Sequence, residues 1–471
     1  MKQRSWLAVF AVSLAGCVSA STTADVARVR ELTRIETLRP LDDVAVDPAA
    51  SEDARKLLEQ PLDADGAVRV AVLQNRELRA RLRELGIARG RVVQAGLLPN
   101  PLVEVELIPE RDSRLQLRVE YDLKSALLAP LRARAVAPEL EAARYRTAAA
   151  VIELGYRVRA AFYRAASASQ RLGVARRMLD GFAASRDATQ AMHDAGNVPT
   201  LELASREAAY EKARILVAEF ELIAANEREG LAQLLGAFGE QANVTLADEL
   251  REAPQHRDLP DALETAALRS NLGLVQARHE LEALARQAGV TRVDGLVPDV
   301  SVDGHALLVN GGDGSQSDVG AWRFGAGVTV GLPIFNRNQG TTRALEAQFD
   351  AGLERYVGMA IELRSAARIA RANLVSAHAR ARKYQEIVVP AQRRVSAETL
   401  LQYNAMQLGV FQLLAARREE LLVALAEVET RREYWTARAA LDALLAGVRV
   451  GDESGARPSS QLAGATSPKG H

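Results

Sequence analysis

Apolar and small residues recur at alternating steps of three and four along two long stretches of the chain. In the first, the seam reads Val151, Leu154, Val158, Ala161, Ala165, Ala168, Leu172, Ala175, Leu179 and Phe182. In the second it reads Ala360, Leu363, Ala367, Ala370, Leu374, Ala377, Ala381, Tyr384, Val388, Ala391 and Val395. This heptad a/d pattern predicts helices packed in left-handed coiled coils. The proline-free run from Glu139 to Val198 makes a rod on the order of 90 Å long at 1.5 Å per residue. Alanine is frequent in both seams and lets neighbouring backbones approach closely. Pro390 falls inside the second rod and predicts a kink, because proline removes a helical N–H and crowds the preceding turn. Periodicity alone equally allows an ordinary soluble coiled coil.

A period of two governs the regions before each rod. Leu102, Glu104, Glu106 and Ile108 interleave with Val103, Val105 and Leu107, and Leu115, Leu117, Val119 and Tyr121 interleave with Gln116, Arg118 and Glu120. Pro109 to Ser113 is the turn between these runs. Val300 to Val309 and Trp322 to Leu332 alternate in the same way across a Gly-, Asp- and Ser-rich loop, Asn310 to Ala321. Each pair predicts a hairpin with one apolar face.

The order of elements then repeats. A leading helix (Asp65 to Gln94, broken by Gly86 and Gly90), a hairpin, a rod, a turn at Gly196 to Thr200 and a return helix fill residues 65–242. After a linker at 243–260, the same order fills 261–447: a helix from Asp261 to Gln287, a hairpin, a rod, a turn at Gln407 to Val410 and a return helix to Leu445. This is a tandem duplication. One return helix (about thirty-five residues) and one leading helix (about thirty) together match one rod. Two short helices end to end can therefore run antiparallel beside each rod, near 100 Å in all.

Four strands with alternating faces cannot sit in lipid as an open sheet, because their edge groups stay unsatisfied. Three chains would supply twelve strands and close a barrel. Val103, Val105, Leu107, Phe324, Ala326, Val328 and Val330 then face lipid, while Glu104, Glu106, Arg118, Glu120 and Arg323 line the pore. The first hairpin, with strands of about eight residues, is short against the nine to eleven that a tilted span needs. A small soluble hairpin capping a coiled coil is the alternative. The fold class expected is mainly α with a small β part: a tunnel of long antiparallel helices capped by a trimer-shared, 12-stranded β-barrel.

The N-terminus adds an address. Lys2 and Arg4 precede an apolar run, Trp6 to Leu14, and then Leu14-Ala15-Gly16-Cys17, a secretory signal at residues 1–17. Its last four residues resemble a bacterial lipobox, which makes Cys17 the lipid-bearing residue; a plain secretory signal with an incidental cysteine is the alternative. By the same resemblance, Val18 after the cysteine favours the outer membrane. Residues 18–64 form a polar leader. The tail at 448–471 is read as disordered from its Gly, Ser, Pro and Ala content. Cys17 is the only cysteine, which excludes a disulfide framework. The formal charge of +0 gives no support to a nucleic-acid partner. His193, His256, His279, His305, His378 and His471 are scattered without metal-ligand spacing, and neither a phosphate loop nor a nucleophile with its base is present. No catalytic residue, cofactor or metal site is expected. His305 lies in a strand, where a polar pore-lining role is the plain reading.

Several strings in this order resemble the TolC family of outer-membrane channel proteins, from the lipobox to about Gly447. They are Ala95-Gly96-Leu97-Leu98-Pro99-Asn100-Pro101, Gly331-Leu332-Pro333-Ile334-Phe335-Asn336-Arg337-Asn338-Gln339-Gly340, and the turns Ala195-Gly196-Asn197-Val198-Pro199-Thr200-Leu201-Glu202 and Gln407-Leu408-Gly409-Val410-Phe411-Gln412-Leu413-Leu414. The resemblance implies a homotrimeric efflux duct that docks a periplasmic adaptor and an inner-membrane pump of the RND type. The Pro-Ile-Phe-Asn-Arg-Asn-Gln-Gly string resembles the heavy-metal cation branch most. Where some members close the periplasmic mouth with aspartates, this chain has Gln412 and Ala415; Glu202 is the nearest acidic match. Arg417 and Arg418 with Glu419 and Glu420 are either mouth ion pairs or a solvated helix face. The two turns carry apolar residues at a rod tip: Gly196, Asn197, Val198 and Pro199, with Leu408, Gly409, Val410 and Phe411, form a candidate adaptor contact. Inward folding of Leu408 and Phe411 is the alternative. The competing function is a periplasmic adaptor lipoprotein or a structural coiled-coil lipoprotein, but an adaptor carries one α-hairpin flanked by split β-domains, and this chain has two.

Overall fold

The computed structural model describes residues 21–39, 48–108, 113–247, 250–256, 259–310 and 322–450. Cys17 and its signal, most of the first hairpin turn, the loop at 311–321 and the tail beyond 450 lie outside them. The described residues begin with α1 (Thr23–Thr33), α2 (Pro48–Leu58), α3 (Ala64–Gln74) and α4 (Arg76–Gly96), followed by strands β1 (Leu102–Ile108) and β2 (Ser113–Asp122). Then come α5 (Leu123–Asp194), α6 (Thr200–Leu235), α7 (Leu263–Ser270) and α8 (Leu272–Asp294). Strands β3 (Asp299–Asn310) and β4 (Trp322–Gly331) lead into α9 (Gln339–Lys383), a π-helical turn at Tyr384–Val388, α10 (Val389–Asn404) and α11 (Val410–Leu445).

The first rod starts at Leu123, directly after β2, and not at the end of the proline-bearing stretch. It runs 72 residues with Pro130 and Pro138 inside it. Proline leaves the carbonyl four residues back without its helical donor. For Pro138 that carbonyl belongs to Arg134, and the Arg286 guanidinium of α8 donates to it at 2.9 Å. At Pro390 the second rod takes a specific form. The backbone widens into the π turn just before the proline, where Val389 N–H bonds to the Tyr384 carbonyl. A π turn inserts one residue and moves every later side chain round the helix. Leu363, Ala367, Leu374, Ala377 and Ala381 are buried as the heptad predicts, but beyond the turn Val389 and Ser396 are buried and Val395 is exposed.

Gly86 and Gly90 do not break the leading helix, which runs unbroken from Arg76 to Gly96. An interior glycine costs about 1 kcal/mol, and the burial of Leu78, Leu82 and Leu85 offsets it. The break falls at Asn75, whose side chain accepts from Leu78 N–H at 2.9 Å as an N-cap. In the second half the break falls at Asn271, between α7 and α8.

The chain divides into two compact units. One holds residues up to Ala54, Val72–Val151 and Leu272–Glu362; the other holds Arg55–Ala71, Ile152–Asn271 and the chain from Leu363 onward. In the first, Asp25 of α1 is fully buried and receives Arg89 of α4 at 2.6 and 2.8 Å and Arg144 of α5 at 2.5 and 2.9 Å. The second unit is knit by alanine-rich helix contacts. Tyr156 and Ala160 pack on Ala439 and Ala443, and Ala175 packs on Val217 and Phe220.

The sheet belongs to the first unit and is antiparallel throughout, in the order β1-β2-β3-β4. The string Leu332 to Asn338 is the elbow from β4 into α9. Asn338 takes a left-handed φ of 57°, its side chain donates to Asp294 at 2.8 Å, and its carbonyl accepts from Thr342 N–H. Gly295 is required at this joint: a Cβ there would lie 2.2 Å from the Arg337 carbonyl oxygen. Lys124, at the start of α5, reaches Asp294 at 3.3 Å and Asp299 at 2.8 Å. It ties the bases of two strands to the helices beside them.

Candidate functional site

Register fixes which side chains share a face of the sheet, because directly paired residues project to the same side. Glu104 pairs with Arg118, and Arg118 with His305. Glu106 pairs with Gln116, Glu120 with Asp303, and Arg323 with Leu307. Glu104, Glu106, Arg118, Glu120 and Arg323 therefore lie on one face, together with Asp303 and His305. Arg118 Nη1 is 3.9 Å from Glu104 Oε2. The opposite face carries Val103, Val105, Leu117, Val119, Val302, Phe324, Val328 and Val330 by the same pairings. Val105 is 63% exposed and Phe324 81% exposed, so among the described residues nothing covers these positions of the apolar face. Strand β1 has 7 residues, against 10, 12 and 10 for the other three.

Both interhelical turns end their rods with the same hydrogen-bond pattern. Gly196 N–H bonds to the His193 carbonyl and Asn197 N–H to that of Met192; Met406 N–H bonds to Tyr403 and Gln407 N–H to Gln402. This is a Schellman ending, in which one residue adopts the left-handed conformation. Gly196 does so with φ of 76°, and Met406 with φ of 56°, although its side chain makes that conformation cost about 1 kcal/mol. Val198, Leu408 and Val410 are half-buried. The apolar residues that protrude are Met406, 95% exposed, and Leu201, 83% exposed, which the sequence reading did not single out. Pro199 and Gly409 occupy the N-cap positions of α6 and α11.

Phe411 is partly covered. The Arg206 guanidinium of α6 stacks on its ring at 3.8 Å from the centroid, and Glu202 lies 3.9 Å from Arg206. Burial pushes the Arg206 pKa down against the attraction of Glu202, yet arginine stays charged at any physiological pH. Gln412 folds back over Gly409, where a Cβ would sit 2.9 Å from its Oε1. Arg417 pairs with Glu420 of its own helix at 2.8 Å. The chain thus joins Glu202 to Arg206 and Phe411, and places Arg417 in a separate intrahelical pair. Arg206 carried no sequence signal, since only the meeting of two distant turns gives it a role.

Among the described residues no three His, Cys, Asp or Glu side chains gather into a metal site, and no helix is long and apolar enough to cross a membrane. Residues 263–447 match the family model for outer membrane efflux proteins. Over 365 residues the chain is 26% identical to the cobalt-zinc-cadmium resistance protein CzcC of Cupriavidus metallidurans, covering 76% of this chain and 84% of that one. Of solved structures, CusC superposes with a TM-score of 0.67 at 18% identity over 82% of this chain and 92% of its own. The outer-membrane channel OprN does so with a TM-score of 0.66 at 20% identity, over 88% and 96%. These structures share the mostly helical fold.

Proposed function

Because the chain belongs to the outer membrane efflux protein family, we propose that it is the passive exit duct of a tripartite efflux system for heavy-metal cations. Proteins of this family are outer-membrane channels with a long periplasmic helical part, and not enzymes. The observation that carries the reading is the four-stranded sheet. One face is exposed and apolar, the other is charged, and strands β1 and β4 are the two ends of its order. In lipid such edges must be paired, and three chains would pair them in a twelve-stranded barrel lined by Glu104, Glu106, Arg118, Glu120 and Arg323. A second feature supports self-association. Leu353, Val357 and Ile361 stand exposed on α9 at four-residue spacing, a helix face left open among the described residues.

The duplicated architecture is part of the same proposal. It is supported by the helix breaks at Asn75 and Asn271, the two Schellman turns and the return helices of 36 residues each. In this reading the turns at Gly196–Pro199 and Leu408–Phe411, with Leu201 and Met406, meet a periplasmic adaptor that couples the duct to an inner-membrane pump of the RND type. Glu202, Gln412 and Arg417 border the periplasmic aperture, and Cys17 carries the lipid. The cation class comes from similarity to the cobalt-zinc-cadmium resistance protein.

Deleting the gene from its host should raise sensitivity to zinc, cobalt or cadmium salts. Wild type should restore resistance, and Leu201→Asp with Met406→Asp should not, although the protein still reaches the membrane. Unchanged sensitivity to all three metals after deletion would remove the cation reading. Full rescue by the double variant would place the adaptor contact elsewhere.

A further inference from the structure

On the charged face of the sheet, Asp303 and His305 of β3 lie two residues apart and so project to the same side. His305 Nδ1 is 3.3 Å from Asp303 Oδ2. A carboxylate only accepts, so Nδ1 carries the proton, and neutral imidazole then keeps its lone pair on Nε2. A carboxylate that fixes the tautomer and ring orientation of a histidine is the arrangement that prepares imidazole as a metal ligand.

The neighbouring strand makes room for both side chains. His305 pairs with Gly325 and Asp303 with Gly327. A Cβ at Gly325 would lie 2.4 Å from His305 Nε2, and one at Gly327 would lie 2.5 Å from Asp303 Oδ1. Any other residue at either position would force the imidazole or the carboxylate aside. The Gly-Ala-Gly alternation in β4 therefore leaves room for the imidazole and the carboxylate to lie close over its backbone. On the β2 side, Arg118 is the register partner of His305 and Glu120 that of Asp303. Glu104 lies across from Arg118 at 3.9 Å and offsets its charge.

We propose that His305 Nε2, oriented by Asp303 on a side chain that is 37% exposed and seated over Gly325, is a weak contact site for borderline divalent cations such as Zn2+ on the charged face of the sheet. Imidazole suits zinc and its neighbours in the first transition series. Among the described residues no three such side chains gather here, so the remaining coordination belongs to water and the cation can leave, as conduction requires. The site deepens the proposed export function and rests on it for the identity of the cargo, while binding itself can be measured without transport.

The test is protection of His305 from diethyl pyrocarbonate by Zn2+ in the purified, detergent-solubilised protein, mapped by peptide mass spectrometry. His378 serves as internal control, because it is buried with Nε2 2.8 Å from the Pro254 carbonyl. Millimolar Zn2+ should protect His305 in wild type. Asp303→Asn should raise the Zn2+ needed by about tenfold or more, and Gly325→Ala should abolish protection in a protein that keeps its oligomeric state. Equal modification of His305 with and without Zn2+ overturns the proposal, and so does an unchanged Zn2+ requirement in Asp303→Asn. Absent protection in a host that still needs the chain for metal resistance would sink this site alone. Protection in a host indifferent to the deletion would sink the export reading and leave the site.

Discussion

Replacing Asp25 by alanine isolates the contact that holds the N-terminal helix. Helix α1 has 11 residues, too few to persist alone in water. Its buried positions are Asp25, Val26 and Val29, so its attachment depends heavily on the pairing of Asp25 with Arg89 and Arg144. Removing one partner of a buried ion pair costs about 3–5 kcal/mol. Both arginine side chains retain some solvent contact, 25% and 17% exposed, and recover part of their hydration. The lower end, about 3 kcal/mol, therefore applies. At about 1.4 kcal/mol per tenfold, the opening of α1 should become on the order of a hundredfold more favourable. Amide hydrogen exchange reports this directly when opening is a rapid equilibrium. Amides of Thr23–Thr33 should exchange about a hundredfold faster in Asp25→Ala, with the buried helices of the second unit unchanged. Exchange within a few-fold of wild type would refute the argument. The pH dependence has a definite sign. Burial alone would raise the Asp25 pKa, but hydrogen bonds and charge from Arg89 and Arg144 outweigh it and hold the carboxyl below the usual range. Such a group stabilises the fold above its unfolded pKa, about 3.9, and loses this as pH falls through the folded value. Wild-type α1 should accordingly be protected at neutral pH and open faster below about pH 4.

Three substitutions test other joints. Gly295→Ala should lower thermal stability by about 1–3 kcal/mol through overpacking, because its Cβ meets a backbone oxygen at 2.2 Å; an unaltered melting curve would show that the elbow can relax. Met406→Gly relieves a left-handed methionine and should stabilise its turn by up to about 1 kcal/mol, seen as slower exchange at positions 406 and 407 after correction for the intrinsic rate of glycine; faster exchange there would contradict the strain argument. Pro390→Ala supplies the missing N–H and should convert the π turn at Tyr384–Val388 to α-helix. Cysteines placed at 395 and 396 read out the change, since the inward position should revert from 396 to 395; an unaltered labelling pattern would mean that the π turn has another cause.

The order of elements was legible in the sequence because each period is carried by many residues. The faces of β1, β2 and β4 could be read for the same reason: shifting the register by one would move Val103 and Glu104 to opposite sides together. Local chemistry that depends on one residue was less legible. Gly86 and Gly90 looked like breaks, but packing through Leu82 and Leu85 overrides the weak propensity of glycine. Pro130 and Pro138 were read as lying before the first rod because the donor that satisfies the carbonyl of Arg134 comes from Arg286, far away in sequence. The heptad beyond Pro390 was read one residue out of phase, since a π turn leaves no periodic trace. The contact of Arg206 with Phe411 and the clearance of Gly325 for His305 exist only between segments distant in the chain. No single stretch of sequence carries either one.

The central claim is that one chain cannot close the sheet and that three do. Native mass measurement of the detergent-solubilised protein tests it most directly. The account predicts a stable assembly of three chains. A stable, folded single-chain species with β1 and β4 unpaired would contradict it.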